Sequence, residues 1–79
     1  MKYKMADLKF EIKEHIGLVS EDNGNWTKEI NLVSWNGREA KYDIRSWDPQ
    51  HFMMSRGVTF TEEELIKLYE ILKVRYEEK

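Results

Sequence analysis

The chain has 79 residues, enough for one small folded domain, and 41% of its side chains are hydrophobic and 35% charged. It contains no cysteine, which excludes disulfides, thiolate catalysis and cysteine-ligated metal centres. Because the net charge is −2, nucleic-acid binding would need a local basic patch. No apolar run approaches the ~18 residues of a membrane span, and the start lacks the apolar core of a signal peptide. We therefore expect a cytoplasmic protein without a membrane partner.

Residues 1–60 show the alternation of apolar and polar side chains that is typical of β-strands. In the first predicted strand the apolar residues share one parity, and polar residues including Lys9 and His15 share the other. Glu14 interrupts the apolar row, and a bulge or bend near Gly17 would absorb that interruption. The polar parity of this strand is expected to face solvent.

Three further strands are separated by turn signals. The Asn-Gly dipeptides at residues 23–24 and 36–37 are typical of tight hairpin turns. They delimit a second strand over residues 26–35 and a third over residues 40–47. A loop follows, and residues 57–60 predict a short fourth strand, so the strands form an antiparallel meander.

The last segment is predicted to be a helix that begins after Thr61. Residues 61–64 read Thr-Glu-Glu-Glu, the spacing of a capping box. Apolar residues then recur at helical spacing along one stripe: Leu65, Leu68, Tyr69, Leu72 and Tyr76. A thin four-stranded sheet cannot cover that much apolar surface, so we expect a second copy of the chain to cover it.

These elements predict an α+β fold, a four-stranded antiparallel β-meander followed by one C-terminal α-helix. Residues 8–79 are expected to form this single ββββα domain. Residues 1–7 are an N-terminal extension, flexible or ordered. The sequence has no internal repeat, low-complexity run or linker that would divide it further.

The two faces of the predicted sheet differ in chemistry. Apolar residues such as Ile30 and Ile44 lie on one face, which we expect to be the core. The other face, expected to be solvated, carries Trp35, Lys41, Arg45 and Trp47 together with the acidic Glu29 and Asp43. Aromatic rings mixed with cations are typical of a surface that binds single-stranded nucleic acid. The same pattern also fits an ordinary solvated sheet, because Lys and Arg are exposed on most sheets.

Catalytic chemistry finds little support in the sequence. No nucleophile is paired with a base and an orienting acid, and the scattered glycines do not make a phosphate-binding loop. His15 and His51 lie in different segments, which favours solvated histidines over a metal site. We therefore expect no enzymatic activity, no metal and no cofactor.

Three short motifs occur in order along the chain: Trp35 with Gly37 and Arg38, then Asp43-Ile44-Arg45 with Trp47, then Arg56-Gly57-Val58-Thr59. They resemble the hallmarks of the C-terminal domain of the transcriptional positive-cofactor-four family, most closely its small bacterial YdbC-like branch. Those hallmarks are an aromatic–Gly–basic turn, an Asp-Ile-Arg strand followed by aromatics, and a basic–Gly entry into the final helix. The resemblance covers residues 8–75.

The resemblance implies a ββββα protomer, a homodimer joined through the helices, and sequence-tolerant binding of single-stranded DNA in transcription regulation, DNA repair or replication. By position, the base-stacking residues would be Trp35 and Trp47, the backbone contacts Arg38, Lys41, Arg45 and Arg56, and the weaker contact candidates Lys9, Lys28 and Asn31. Single-stranded RNA stays open as a ligand, because stacking does not distinguish the sugar. The alternative is a protein–protein interaction module that docks a polypeptide on the face bearing the tryptophans.

Overall fold

A computed structural model of the protein describes residues 9–77. The elements are β1 Phe10–Glu21, β2 Thr27–Trp35, β3 Lys41–Trp47, β4 Val58–Phe60 and α1 Glu62–Glu77. The strands form one antiparallel sheet in the order β1-β2-β3-β4, which confirms the predicted meander followed by a C-terminal helix. The predicted N-terminal extension, residues 1–7, lies outside the described residues.

The turn between β2 and β3 has the geometry that its Asn-Gly dipeptide predicts. Asn36 and Gly37 have φ angles of 55° and 76°, the positive values that both central residues of a type I′ hairpin turn require. The Arg38 amide donates to the Trp35 carbonyl at 3.0 Å and closes the turn. Arg38 is therefore held directly beside the end of β2.

The helix α1 begins at the predicted capping box. The Glu64 amide donates to the Thr61 hydroxyl at 3.1 Å, and the Thr61 amide donates to the Glu64 carboxylate at 2.9 Å. The Tyr42 hydroxyl donates to the Glu62 carboxylate at 2.9 Å and ties the start of the helix to β3. Across residues 9–77, α1 is too short and too polar to cross a membrane.

The edge strand β1 is irregular. Its pairing with β2 shifts register in three places, one of them between His15 and Gly17, which confirms the predicted bulge near Gly17. A bulge changes which residues of a strand point to which face. The shift between Ile12 and Glu14 leaves Phe10 opposite Trp35, and the shift before Gly17 leaves Leu18 opposite Glu29. The expectation that the apolar parity of β1 faces away from Trp35 is therefore wrong at both ends of the strand.

Residues directly opposed across the strands share a face, and the register therefore defines two faces. The tryptophan face carries Glu29, Asn31, Val33 and Trp35 of β2 and Lys41, Asp43, Arg45 and Trp47 of β3, whereas the helix face carries Ile30, Leu32, Tyr42, Ile44 and Phe60. Val33, Asn31, Asp43 and Trp47, all on the tryptophan face, are 0% exposed. The residues of the helix face are only half-buried, and α1 contains no buried residue. The expectation of a solvated tryptophan face and a core on the other face is therefore wrong within one protomer.

The tryptophan face is more buried than the helix face because different segments of the chain cover them. The loop between β3 and β4 folds back over the tryptophan face, where Met54 bridges to Trp47 and lies 3.5 Å from the Arg45 guanidinium. The helix packs on β3 and β4 and leaves apolar side chains such as Ile71 and Leu72 exposed. One protomer thus has its core beneath the loop and an uncovered apolar surface along the helix.

Candidate nucleic-acid interface

Four rings form a continuous row on the tryptophan face, and we call Trp35, Phe10, Trp47 and His51 the aromatic row. Phe10 lies between the two indoles, with ring centroids 5.8 Å from Trp35 and 5.0 Å from Trp47. The His51 ring stacks on Trp47 at 5.5 Å with an interplanar angle of 28°. These separations are those of favourable aromatic pairs, so the rings fix one another's positions.

The two tryptophans of the row differ in accessibility. Trp35 is half-buried at the end of β2, beside an exposed turn. Trp47 is fully buried between its neighbours, so within the protomer it is not the open stacking surface that the sequence predicts. Both indole N–H groups are buried and have no acceptor among residues 9–77. A buried donor without an acceptor costs about 1–3 kcal/mol of folding free energy, so the burial of each indole N–H is locally unfavourable.

Arg45 is a packed member of the face as well as a cation. Its guanidinium donates two hydrogen bonds to the Asp43 carboxylate, both at 2.7 Å, and lies 4.5 Å from the centroid of the Trp35 ring. Of the Arg45 side chain 10% is exposed, and of the Asp43 side chain none. Burial raises the pKa of Asp43 above its ordinary value, and the Arg45 guanidinium acts in the opposite direction. Arg45 is therefore already engaged by the protein, where it supports the ring of Trp35.

Gly57 lets the chain entering β4 lie against Arg45. A Cβ atom at this position would lie 2.5 Å from Arg45 Cβ and 2.5 Å from the Ile44 carbonyl oxygen. Real Cβ contacts are essentially never that short, so only glycine fits without a shift of the backbone. The Arg-Gly motif before β4 therefore has a packing role on the strand that carries Arg45.

A chain of hydrogen bonds crosses the same face around Glu29, which is 5% exposed. His15 Nδ1 donates to Asn31 Oδ1 at 2.7 Å, and Asn31 Nδ2 donates to Glu29 Oε1 at 3.1 Å. Since a carboxylate only accepts, His51 Nε2 and the Thr27 hydroxyl donate to Glu29 Oε2, at 3.0 and 2.5 Å. Burial alone would raise the pKa of Glu29, but the hydrogen bonds from Thr27, Asn31 and His51 hold it below its ordinary value.

The two histidines that the sequence places in separate segments meet at this carboxylate. His15 Nδ1 and His51 Nε2 lie 3.5 Å and 3.0 Å from Glu29 oxygens. Both histidine side chains are partly exposed to solvent, but each also contacts the buried Glu29 carboxylate. The positions of the two histidines in the sequence do not indicate this contact. Across residues 9–77, no group of three or more such side chains could hold a metal ion. Asn31, a weaker contact candidate, is buried inside this network.

Exposed cations gather around the Trp35 end of the tryptophan face. Lys41 begins β3 on that face, and Arg38 follows Trp35 in the turn. The Lys9 amide donates to Asn36 Oδ1 at 3.2 Å, which brings the Lys9 backbone to the same end of the sheet. Lys9 directly precedes Phe10, however, so strand alternation places its side chain on the helix face, and the expectation that Lys9 joins the tryptophan face is wrong. All three cations are exposed, and none forms an ion pair within the part of the chain that the structure describes.

Two predicted contact residues lie elsewhere. Arg56 is exposed in the segment just before β4. Lys28 is exposed as well, but it lies opposite Ser46, on the helix face. Lys28 is therefore not brought together with the aromatic row.

Comparison with known proteins identifies the family of the chain. The family model described as transcriptional coactivator p15 (PC4) matches residues 23–71, which hold β2, β3, β4 and most of α1. The chain belongs to the PC4 family. An uncharacterized protein of Treponema pallidum (strain Nichols) is 39% identical over 66 residues, which cover 84% of this chain and 78% of that protein. The family match confirms the resemblance seen in the motifs, and the bacterial relative is consistent with a bacterial PC4-like branch.

Two members of the aromatic row in this PC4 domain are missed by sequence reasoning. Alternation assigns Phe10 to the face away from Trp35, because the register shifts in β1 leave no mark in the pattern. His51 lies in a loop without periodicity, and its ring stacks on Trp47 there. Predicting that Phe10 belongs to the aromatic row would require the positions of the bulges in the pairing of β1 with β2. The residues around His51 contain no pattern that predicts its contact with Trp47.

Proposed function

We propose that this PC4-family protein is a non-enzymatic, homodimeric protein that binds single-stranded DNA with little sequence preference. The observation that carries the proposal is the cluster of exposed cations beside the aromatic row in a chain of this family. Single strands offer unpaired bases that stack on rings and phosphates that contact Lys and Arg. The family description favours transcription regulation as the process, and DNA repair or replication would use the same chemistry.

In the proposed complex, a base stacks on Trp35, the half-buried ring of the row. Phosphates contact Arg38 and Lys41 beside it, and Arg56 in the segment before β4 extends the path. Arg45 supports Trp35 from within the protein through its pair with Asp43. Each base–ring stack contributes about 1–3 kcal/mol, and each phosphate contact adds about 0.7 to the slope of log affinity against log salt.

The apolar surface along the helix supports the homodimer. The exposed apolar residues of α1 are Ile66, Tyr69, Ile71, Leu72, Val74 and Tyr76. A groove of about 390 Å³ between α1 and β4 is lined in part by Val58, Phe60 and Leu68. Such a surface is typical of a subunit interface, and a second copy offers a complementary apolar face. A dimer also presents two tryptophan faces to one strand, which raises the effective affinity for longer strands.

A fluorescence-anisotropy titration of labelled oligo-dT tests the proposal, with a matched duplex and a matched RNA as competitors at two salt concentrations. The expected result is binding that weakens steeply with salt and that the duplex competes for poorly. The RNA competitor measures how far the site distinguishes the sugar. Absence of binding at low salt would contradict the proposal and favour docking of a polypeptide on the tryptophan face.

A further inference from the structure

The imidazole of His51 occupies the position on Trp47 that a stacked base would take. The two rings lie 5.5 Å apart and 28° from parallel, and Trp47 has no exposed surface. Phe10 contacts the same indole at 5.0 Å in a tilted arrangement. A flat heteroaromatic ring on an indole is the arrangement in which unpaired bases bind to aromatic side chains of proteins.

The His51 ring can leave this position while its loop stays closed. The loop is held by bonds that do not involve the ring, from the Met53 amide to the Asp48 carboxylate at 2.6 Å and from the Ser55 amide to β3 at 2.9 Å. Of the His51 side chain 37% is already exposed. Among the described residues, the ring is held by its stack on Trp47 and by the hydrogen bond from Nε2 to Glu29 at 3.0 Å.

Two local features belong to the closed arrangement. The His51 backbone has a φ of 60°, in the left-handed region where histidine and asparagine are enriched among residues other than glycine. The Trp47 indole N–H is buried without an acceptor among residues 9–77. The φ angle belongs to the loop backbone and does not change when the ring leaves, whereas the buried unpaired donor of Trp47 narrows the free-energy gap between the closed and the open arrangement.

We propose that His51 is a gate on Trp47, whose ring covers the indole in the free protein and is displaced by an unpaired base of the bound strand. This inference rests on the proposed function and deepens it, because it gives His51 the role of controlling access to Trp47, the second stacking residue that the family resemblance implies. The incoming base replaces one stack by another. The loss of the hydrogen bond to Glu29 is therefore the main cost of opening.

The variant His51→Asn tests the gate, because it removes the ring while asparagine tolerates a positive φ. It should bind oligo-dT about threefold to thirtyfold more tightly than the wild type, since neither the hydrogen bond from the His51 ring to Glu29 nor the stack on Trp47 then has to be broken first. Gln50→Ala, at the exposed neighbouring position of the same loop, is the matched control and should bind like the wild type.

A second measurement reports on Trp47 itself. Trp26→Phe combined with Trp35→Phe leaves Trp47 as the only tryptophan and keeps a ring at both other positions. Acrylamide should quench the emission of Trp47 weakly in this protein and strongly once His51→Asn is added. Bound oligo-dT should quench the emission in both proteins, because a base then lies on the indole.

The outcomes separate the gate from the proposed function. If the wild type binds oligo-dT but His51→Asn neither tightens binding nor exposes Trp47, the gate is overturned and the proposed function stands. Tighter binding without quenching of Trp47 by the oligonucleotide also overturns the gate, since no base reaches the indole. Binding by His51→Asn alone would overturn both the gate and the proposed function, since a strand would then not displace the ring in the wild-type protein. Absence of binding by both proteins overturns the gate together with the proposed function.

Discussion

Side chains on the tryptophan face pack the protomer and, in the proposed complex, also present rings and charges to the DNA. Arg45 illustrates this, because its guanidinium pairs with a fully buried Asp43 and also lies over Trp35. Trp47 is completely enclosed, whereas Trp35 keeps part of its surface open. Changes at these residues can therefore act through stability or through binding, and each prediction needs a readout for both.

Trp35→Ala should weaken binding to oligo-dT by about tenfold or more, because one base–ring stack is lost. Far-UV circular dichroism should show that the fold is kept, since Trp35 lies at the end of its strand beside the turn. Trp26→Ala, at a half-buried position outside the aromatic row, is the control and should retain affinity. Equal affinities for wild type and Trp35→Ala would remove Trp35 from the proposed site.

Arg45→Ala should lower the free energy of unfolding by about 3–5 kcal/mol, because it leaves the buried Asp43 carboxylate without its partner. Urea unfolding followed by circular dichroism measures the change. Arg38→Ala removes an exposed cation of the turn and should alter stability by less than about 0.5 kcal/mol. Equal stability of the two variants would mean that the Arg45–Asp43 pair does not hold the face together.

Stability should fall on acidification in part through Glu29. Hydrogen bonds keep the folded-state pKa of Glu29 below its ordinary value of 4.5, so the unfolded chain takes up a proton first. The stabilisation is therefore present above that value and is lost as the pH falls through the lower, folded-state pKa. Glu29→Gln should unfold more easily near pH 7 and lose less stability toward acid. Urea midpoints that fall in parallel for both proteins would contradict this role.

Asp43 contributes with the opposite sign. Burial raises its pKa in the folded state, so the fold retains that proton more readily and gains stability, relative to neutral pH, as the pH falls. The acid response of the wild type is thus a sum of opposing contributions. The comparison with Glu29→Gln isolates one of them, because both proteins carry Asp43.

The boundaries of the strands and the helix depend on adjacent residues, whereas the burial of each sheet face depends on long-range packing. The Asn36-Gly37 turn and the Thr61 capping box are written in adjacent residues, and both form as the sequence predicts. The exposure of each sheet face depends instead on a loop with no periodic pattern, whose Met54 closes over the tryptophan face. The placement of Trp35, Arg38 and Lys41 at one end of the tryptophan face was therefore predictable, whereas the burial of Trp47 was not.

Gly57→Ala should destabilise the pairing of β4 with β3, because the new Cβ would meet Arg45 and the backbone of Ile44. Overpacking of this kind costs about 1–3 kcal/mol, and a rigid carbonyl oxygen cannot move aside as a side-chain tip does. Gly17→Ala is the matched control, since its Cβ would lie an ordinary 3.8 Å from Ile30 Cγ2. Thermal unfolding of both variants decides, and a Gly57→Ala protein as stable as the control would refute the close-packing role.

For the whole molecule, the protomer covers one face of its sheet with its own loop and leaves the helix side open. No side chain of α1 is buried, and Ile71 is 56% exposed. The sequence predicts this surplus, because the stripe of α1 is wider than a thin sheet can cover. This exposed apolar surface is the observation that supports the proposed homodimer.

Ile71→Glu should convert the proposed dimer to a monomer, because it puts a charge into an apolar interface. Light scattering after size exclusion measures the mass. Lys73→Glu lies two residues further on, about opposite Ile71 around the helix, and should stay dimeric. A monomeric wild type, or a dimer that survives Ile71→Glu, would contradict assembly through this surface.

Photo-crosslinking tests most directly whether single-stranded DNA binds across the tryptophan face, as we propose. Oligo-dT with a photoreactive base is crosslinked to the wild-type protein, and tryptic peptides are mapped by mass spectrometry. We predict crosslinks in the peptide of residues 29–38, which holds Trp35, and in that of residues 46–56, which holds Trp47 and His51. Crosslinks confined to the peptides that begin at residue 57 or later would contradict the proposed binding mode, because the DNA would then lie on the helix face of the sheet.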